Sequence, residues 1–277
     1  MARPEFDLVI IGGGSAGLSL AGITGFAGMK VALVEKGSLG GECLHAGCVP
    51  SKALLAAAHQ LHRARHGGRL GLPAWKADPV RLAHVMDRVG SVVERVQAHD
   101  SPEALAEWGV AEFIPGTARF LDSRTIEVWN DGAVRRIGAE RFAICTGSQP
   151  SLPPIPGLGE AGVWTNENLF EQRELPTRLL VLGGGPIGCE MAQAFSRLGA
   201  EVSIFELEPR LLPGDDPESS AVLAEVFERE GIQLHLGCAV ERVERSANGV
   251  VVRACEGVAA EGDAVLAALG RAPVLSL

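Results

Sequence analysis

Cys43 and Cys48 stand with four residues between them in the segment Gly40-Gly41-Glu42-Cys43-Leu44-His45-Ala46-Gly47-Cys48-Val49-Pro50-Ser51-Lys52. The Ala/Leu run that follows it favours helix, and Pro50 suits a first helical turn. Both cysteines are therefore expected at or just before a helix N-terminus. The field there favours a thiolate, the nucleophile of thiol–disulfide exchange. Four intervening residues can close a small loop, so a reversible disulfide is geometrically open to the pair. Metal binding and two unrelated thiols are the rival readings. Zinc would need two further ligands, and beyond His45 no second Cys/His pair stands at ligand spacing, so no metal is expected. His45 itself is expected to pack or cap within the loop. Cys145, Cys189, Cys238 and Cys255 each stand alone in apolar or strand-like surroundings and are read as small buried hydrophobes.

Two glycine-rich turns carry a second kind of chemistry. Phe6–Ile11 is an apolar run that suits a buried parallel strand, and it leads directly into Gly12-Gly13-Gly14-Ser15-Ala16-Gly17. A small-residue helical stretch follows to about Gly28, then a strand from Lys30 to Val34 that ends in Glu35. The same order returns later. Leu179–Leu182 runs into Gly183-Gly184-Gly185-Pro186-Ile187-Gly188, a helix to about Leu198 and a strand from Glu201 to Phe205 that ends in Glu206. In such a loop the first glycine turns the chain and the second admits a pyrophosphate. The third lets helix and strand pack closely, and the acid accepts hydrogen bonds from ribose hydroxyls. Two copies with matching strand, helix and acid predict two dinucleotide sites. Glu206 would repel a 2′-phosphate, which favours NADH over NADPH, although Arg210 lies four residues on and could reach a phosphate.

These turns need a scaffold that the rest of the chain supplies. The 277 residues are about two domains' worth, with 47% hydrophobic and 21% charged residues, the composition of a soluble globular protein. The expected fold is α/β, built from two Rossmann-like doubly wound units. Residues 1–150 form the first unit, which carries the cysteine pair, and 151–277 the second, with the Pro-rich stretch Gln149–Gly157 as linker. Small antiparallel meanders are expected in both, one turning at Asn130-Asp131-Gly132 and one around Asn248-Gly249. Leu82, Val85, Met86, Val89, Val92, Val93 and Val96 form one apolar helical face, expected to pack on the core. Twenty-five basic against thirty-four acidic residues argue against a nucleic-acid footprint. No apolar run approaches membrane length and no secretion signal opens the chain, so a cytoplasmic protein without membrane partners is expected.

The glycine loops and the thirteen-residue cysteine segment together resemble the class I pyridine nucleotide–disulfide oxidoreductases, the family of dihydrolipoamide dehydrogenase, glutathione reductase and mercuric reductase. The resemblance runs from about Phe6 to Pro273 and implies an FAD-dependent enzyme. Such an enzyme moves electrons between NAD(P)H and a disulfide, a dithiol or a metal ion through a Cys43–Cys48 redox disulfide. It implies that Gly12, Gly14, Ser15, Gly17, Glu35, Gly40, Gly41, Ala118, Thr146 and Gly147 bind FAD. Cys48 would lie against the flavin and Cys43 would meet the substrate. Lys52 would sit near the flavin's reactive nitrogen, paired with Glu190. Gly183, Gly185, Ile187, Gly188, Glu206, Val240 and Gly270 would line the NAD(H) site.

Two departures stand out. Pro186 occupies a place where some members carry a Tyr, and Glu42 adds a negative charge where Thr is usual. Family members also continue past the equivalent of Leu277 into a Gly-Asp flavin segment and a dimer-interface domain with a His-Glu pair. The chain is therefore expected to be C-terminally truncated, to lack those parts and to derive from a homodimeric parent. A non-catalytic nucleotide-binding fragment is the alternative reading.

Overall fold

The computed structural model describes residues 4–72, 78–247 and 249–277. In chain order the elements begin with β1 (Phe6–Ile11), α1 (Ser15–Phe26), β2 (Val31–Glu35), α2 (Gly41–His45), α3 (Cys48–Arg65), α4 (Leu82–Gln97) and α5 (Pro102–Glu107). They continue through β3 (Glu112–Pro115), β4 (Thr117–Asp122), β5 (Thr125–Asn130), β6 (Ala133–Ile144), β7 (Ser148–Pro150), β8 (Arg178–Leu182), α6 (Pro186–Leu198), β9 (Glu201–Glu206) and α7 (Pro217–Arg229). The last are β10 (Gln233–Leu236), β11 (Val240–Ser246), β12 (Gly249–Ala254), β13 (Ala259–Gly262), β14 (Ala264–Ala267) and β15 (Arg271–Pro273).

Packing divides the chain into two units. The first gathers residues 1–49, 91–149 and 272–277, the second residues 50–90 and 150–271. In the first unit six strands form one sheet in the order β3-β2-β1-β6-β5-β4. The pairs β2–β3, β1–β2 and β1–β6 are parallel, while β5 pairs antiparallel with both β4 and β6. The long strand β6 serves both parts. Ala133–Gly138 face β5, and Ala139 to Ile144 run beside β1. The meander expected from the sequence is thus continuous with the parallel sheet. Its turn at Asp131-Gly132 has positive φ at both residues (45° and 81°), which matches the twist of a two-residue hairpin.

β1 is buried on both faces, as its unbroken apolar run requires. Val9 and Ile11 join Ala32, Val34, Ile126 and Ile137 on one side, and Leu8 and Ile10 meet Leu18, Ala21 and Leu33 on the other.

The second unit repeats the plan. Its parallel sheet runs β10-β9-β8-β14, so both units place their four parallel strands in the spatial order third, second, first, fourth. Here the meander stands apart, as a three-stranded antiparallel sheet β11-β12-β13. The turn residue Asn248 lies outside the described residues. The core of this unit collects Leu179, Val181, Ile204, Phe195 and Phe227. Leu54 and Ala58 of α3 and Leu82, Met86 and Val89 of α4 enter the same cluster, which uses much of the apolar face read from the sequence. Residues 50–90 therefore pack within the second unit, on the other side of the boundary drawn near residue 150. Among the described residues no helix is long and apolar enough to cross a membrane.

Candidate functional site

In the first glycine loop each glycine does a different task. Gly12 holds φ +109°, and a Cβ there would overlap the Cys145 carbonyl; a Cβ on Gly17 would overlap the Gly12 carbonyl. Between them Gly14 is the N-cap of α1 in an extended conformation (φ −82°), and the nearest heavy atom to a Cβ placed on it is the Gly41 Cα at 3.7 Å. The tight turn, the open middle and the close helix packing are what a bound pyrophosphate requires. Glu35 is fixed beside the loop. Its Oε2 accepts from the Gly13 amide at 2.6 Å and its Oε1 from the Gly37 amide at 2.7 Å.

The cysteine segment is tied to this loop through the backbone. Gly14 and Gly40 form a parallel bridge, and the Gly40 amide donates to the Gly13 carbonyl at 2.9 Å. A Cβ on Gly41 would come to 2.6 Å from the Gly14 Cα, so the approach depends on the glycine pair. The sequence predicts both cysteines at or just before a helix N-terminus. In the structure Cys43 lies inside the short helix α2, while Cys48 is the first residue of α3. Cys43 is half-buried and Cys48 exposed. The His45 ring meets the Leu39 carbonyl at 2.9 Å, the packing role expected for it. Ser15, Gly40 and Cys43 line a cavity of about 590 Å³ in this unit, together with Leu44, Val49 and Trp108. Ala118 is instead buried in the sheet core, and the Thr146 hydroxyl donates to the Val274 carbonyl at 2.7 Å. The Gly147 carbonyl accepts from the Val274 amide at 3.0 Å. Ala118 is thus placed in the sheet and Thr146 and Gly147 in the loop after β6, all three apart from the cavity lining.

Lys52, on α3, meets Glu190, on α6, at 2.6 Å between Nζ and Oε1. The expected pairing is present, with the ammonium well exposed.

The second unit gathers its expected residues in one cavity of about 800 Å³, lined by Gly183, Gly185, Ile187, Glu206, Val240 and Gly270 among others. That volume suits a small-molecule or cofactor site. Gly183 holds φ +103°, Gly188 packs on the Gly183 carbonyl, and a Cβ on Gly185 would meet nothing within 4 Å. Gly188 is thus the expected residue that stays outside the lining. Glu206 repeats the geometry of Glu35: Oε2 accepts from the Gly184 amide at 2.5 Å and Oε1 from the Glu208 amide at 2.8 Å. Pro186 supplies the first residue of α6. Arg210 does not reach outward for a phosphate. Its guanidinium donates to the carbonyls of Leu212, Pro213 and Asp215 and to the Ser220 hydroxyl, and so braces its own loop. Sequence reasoning missed Asn166 and Arg271, which also line this cavity and meet at 3.1 Å.

Cys189 behaves as a buried structural thiol. Burial, then Glu206 and Glu190, pushes its pKa up to about 12, and its Sγ donates to the Gly184 carbonyl. Burial also raises Cys145. Cys238 and Cys255 correct the expectation that they stand alone, because their sulfur atoms meet at 2.7 Å. Among the described residues no group of three or more His, Cys, Asp or Glu side chains could hold a metal ion.

Comparisons with known proteins agree with this arrangement. The family model described as pyridine nucleotide-disulphide oxidoreductase matches residues 6–277. A mercuric reductase of Lysinibacillus sphaericus is 37% identical over 273 residues, covering 97% of this chain and 49% of the relative. A dihydrolipoyl dehydrogenase of Pseudomonas aeruginosa is also 37% identical, covering 96% and 58% respectively. Among solved structures, the HOCl-induced flavoprotein disulfide reductase RclA of Escherichia coli superposes with a TM-score of 0.81 at 31% identity, over 97% of this chain and 57% of that one. The chain thus spans about half the length of the curated relatives it matches.

Proposed function

The chain belongs to the pyridine nucleotide-disulphide oxidoreductase family, and on that premise we propose that it is an FAD-dependent oxidoreductase. It moves electrons between NAD(P)H and a disulfide, a dithiol or a metal ion through Cys43 and Cys48. The observation that carries this reading is the backbone bridge from Gly14 to Gly40, which joins a nucleotide loop to the segment bearing both thiols.

The first unit fits FAD. The open face at Gly14 and the N-terminus of α1, with Ser15, would take the pyrophosphate, and Glu35 would accept from the ribose. Gly12, Gly17, Gly40, Gly41, Ala118, Thr146 and Gly147 would complete the site. The second unit fits a nicotinamide nucleotide on the same grounds, at Gly183, Gly185, Ile187, Gly188, Glu206, Val240 and Gly270. The Glu206 carboxylate, together with the Arg210 guanidinium turned into its own loop, favours NADH over NADPH.

When bound, FAD supplies a two-electron centre that accepts hydride from a nicotinamide and passes an electron pair to sulfur. The chain's own residues do the rest. In the dithiol state the Cys43 thiolate attacks an external disulfide and one substrate thiolate leaves. Cys48, whose thiolate the head of α3 stabilises, then attacks the Cys43 sulfur, expels the second thiolate and closes the Cys43–Cys48 bond. The two protons given up by the cysteines go to the released thiolates. Lys52 would supply the cation that offsets negative charge gained by the reduced site, and Glu190 holds its ammonium in place. Similarity does not choose the substrate, because a mercuric reductase and a dihydrolipoyl dehydrogenase match at the same 37%.

Purification and thiol labelling test this. A yellow protein with flavin absorbance is expected, in which NADH under anaerobic conditions makes both Cys43 and Cys48 alkylatable. A flavin-loaded protein that gains no label at these positions after NADH overturns the reading. A colourless protein that binds only NADH supports the non-catalytic alternative.

A further inference from the structure

We propose that Cys238 and Cys255 are a second redox pair, which low-molecular-weight disulfides convert to a reversible disulfide on the wall of the nucleotide cavity of the second unit. Their sulfurs stand 2.7 Å apart. That is inside the ~3.5–4.0 Å at which non-bonded heavy atoms usually rest. The backbone, rather than the side chains alone, sets this proximity. The β11–β12 ladder ends with Val240 opposite Ala254, and one step beyond it the Cys255 amide donates to the Ala239 carbonyl at 2.9 Å. On the other side the Cys238 amide donates to the Glu206 carbonyl at 2.9 Å. Both cysteines are thus held in neighbouring, hydrogen-bonded segments with their sulfurs facing.

The two sulfurs differ in access. Cys238 is 6% exposed, and burial, reinforced by the Cys255 thiol beside it, pushes its pKa up to about 11. Cys255 is partly exposed and begins a short turn in which Glu256 takes a positive φ of 56°. The roles follow from this asymmetry. Cys255 loses its proton to water, and its thiolate attacks one sulfur of an external disulfide, which releases one thiolate and leaves a mixed disulfide. The Cys238 sulfur, losing its proton, then attacks the Cys255 sulfur, forms the Cys238–Cys255 bond and expels the second thiolate. The two protons end on the two released thiols. Two cysteine thiols are oxidised by two electrons, and one external disulfide is reduced.

The placement gives the pair something to report on. Cys238, Ala239 and Val240 line the same cavity as Glu206 and Gly185. A bond from Cys238 to Cys255 would pin that wall to the end of β12. This pair is independent of the Cys43–Cys48 chemistry proposed above, and its test uses neither flavin nor NADH.

The test treats the full chain with oxidised glutathione, alkylates free thiols under native and then denaturing conditions, and maps the digest by mass spectrometry. Labelling of Cys238 and Cys255 is expected to fall together by about tenfold or more, with a linked peptide that dithiothreitol releases. In Cys238→Ser the resolving sulfur is missing, so a stable glutathione adduct should collect on Cys255. In Cys255→Ser the buried Cys238 should take up little glutathione while the protein stays folded. Full labelling of both thiols after the oxidant overturns the proposal. So does a Cys255–glutathione adduct that persists in the unsubstituted chain.

Discussion

Lys52 and Glu190 meet at 2.6 Å although 138 residues separate them in the chain. The contact links the helix that begins with Cys48 to the helix that follows the second glycine loop. Lys52 remains 61% exposed, so the pair contributes little to stability. An exposed ion pair is worth about 0–1 kcal/mol. Glu190→Gln should therefore leave the urea midpoint nearly unchanged. Lys52→Met should slow NADH-driven release of the Cys43 and Cys48 thiols by about 10²-fold, a loss typical of removing one group that stabilises developing charge. Rapid-quench alkylation measures that rate, and an unchanged rate in Lys52→Met would remove the residue from the mechanism.

The glycines of the second loop should separate folding from binding. A Cβ on Gly188 runs into the Gly183 carbonyl, so Gly188→Ala is expected to cost about 1–3 kcal/mol or more through overpacking. A Cβ on Gly185 meets nothing within 4 Å, and its φ of −74° suits alanine. Gly185→Ala should keep the stability of the parent and lose NADH affinity, because the methyl group fills the space a pyrophosphate needs. Denaturant titration and NADH fluorescence on the same two variants check the contrast.

Glu206 sets nucleotide choice in the proposed site, and it is also a structural acceptor for the Gly184 and Glu208 amides. Glu206→Ser should shift the ratio of NADPH to NADH dissociation constants toward NADPH by about tenfold, since each 1.4 kcal/mol of repulsion removed is one decade. The same change should cost about 1–3 kcal/mol of stability, because the Glu206 carboxylate, on a residue only 8% exposed, no longer accepts from the Gly184 and Glu208 amides. A variant that loses stability without any change in that ratio would leave the carboxylate purely structural.

Arg197 and Glu230 form a two-point ion pair, at 2.9 and 2.7 Å, with both side chains nearly buried. Burial pushes the Glu230 carboxyl up, but the Arg197 guanidinium outweighs it and holds the group below the usual glutamate range. The stabilisation is therefore complete above the unfolded value of about 4.3 and is lost as pH falls through the lower folded value. His62, 3.9 Å from Glu230, is lowered chiefly by burial. Its neutral ring is the form the fold favours, so it too withdraws stability as pH drops below about 6.5. Both groups predict a monotonic loss of the second unit's stability from pH 7 to pH 3, read by thermal melts across that range. Arg197→Met should cost about 3–5 kcal/mol at pH 7 and reverse the Glu230 limb, because burial alone then raises that carboxyl.

Much of this arrangement was readable from residue order. The strand Phe6–Ile11 has the same limits in sequence and structure, and the repeated glycine–acid spacing anticipated two units of like build, which share one order of parallel strands. The Lys52–Glu190 contact pairs the two residues the motif named, and Gly183 and Gly185 of the second loop line one cavity. Other features have no one-dimensional signature. A strand that changes partners midway, as β6 does at Gly138, carries the same alternation as one that does not. The reach of Arg210 was open in sequence, because a long flexible side chain has no periodicity; local carbonyls won it. The Cys238–Cys255 encounter hid behind a register shift between Val240 and Arg242, which moves the strand by one residue and defeats simple counting back from the Asn248-Gly249 turn. Residues 50–90 join the second unit through Leu54, Met86 and Val89, an assignment that an amphipathic pattern cannot make.

The shared strand β6 also bears on how the molecule comes apart. In the first unit the hairpin and the parallel strands are one uninterrupted hydrogen-bonded lattice, so β5 cannot peel away without exposing the flank of a strand on which β1 depends. In the second unit the corresponding three strands form a lattice of their own and can fray on their own account. Amide exchange in β5 should accordingly slow to the pace of β1, while β11 and β13 exchange well ahead of β8. Two copies of one strand plan would then differ in cooperativity while agreeing in strand order.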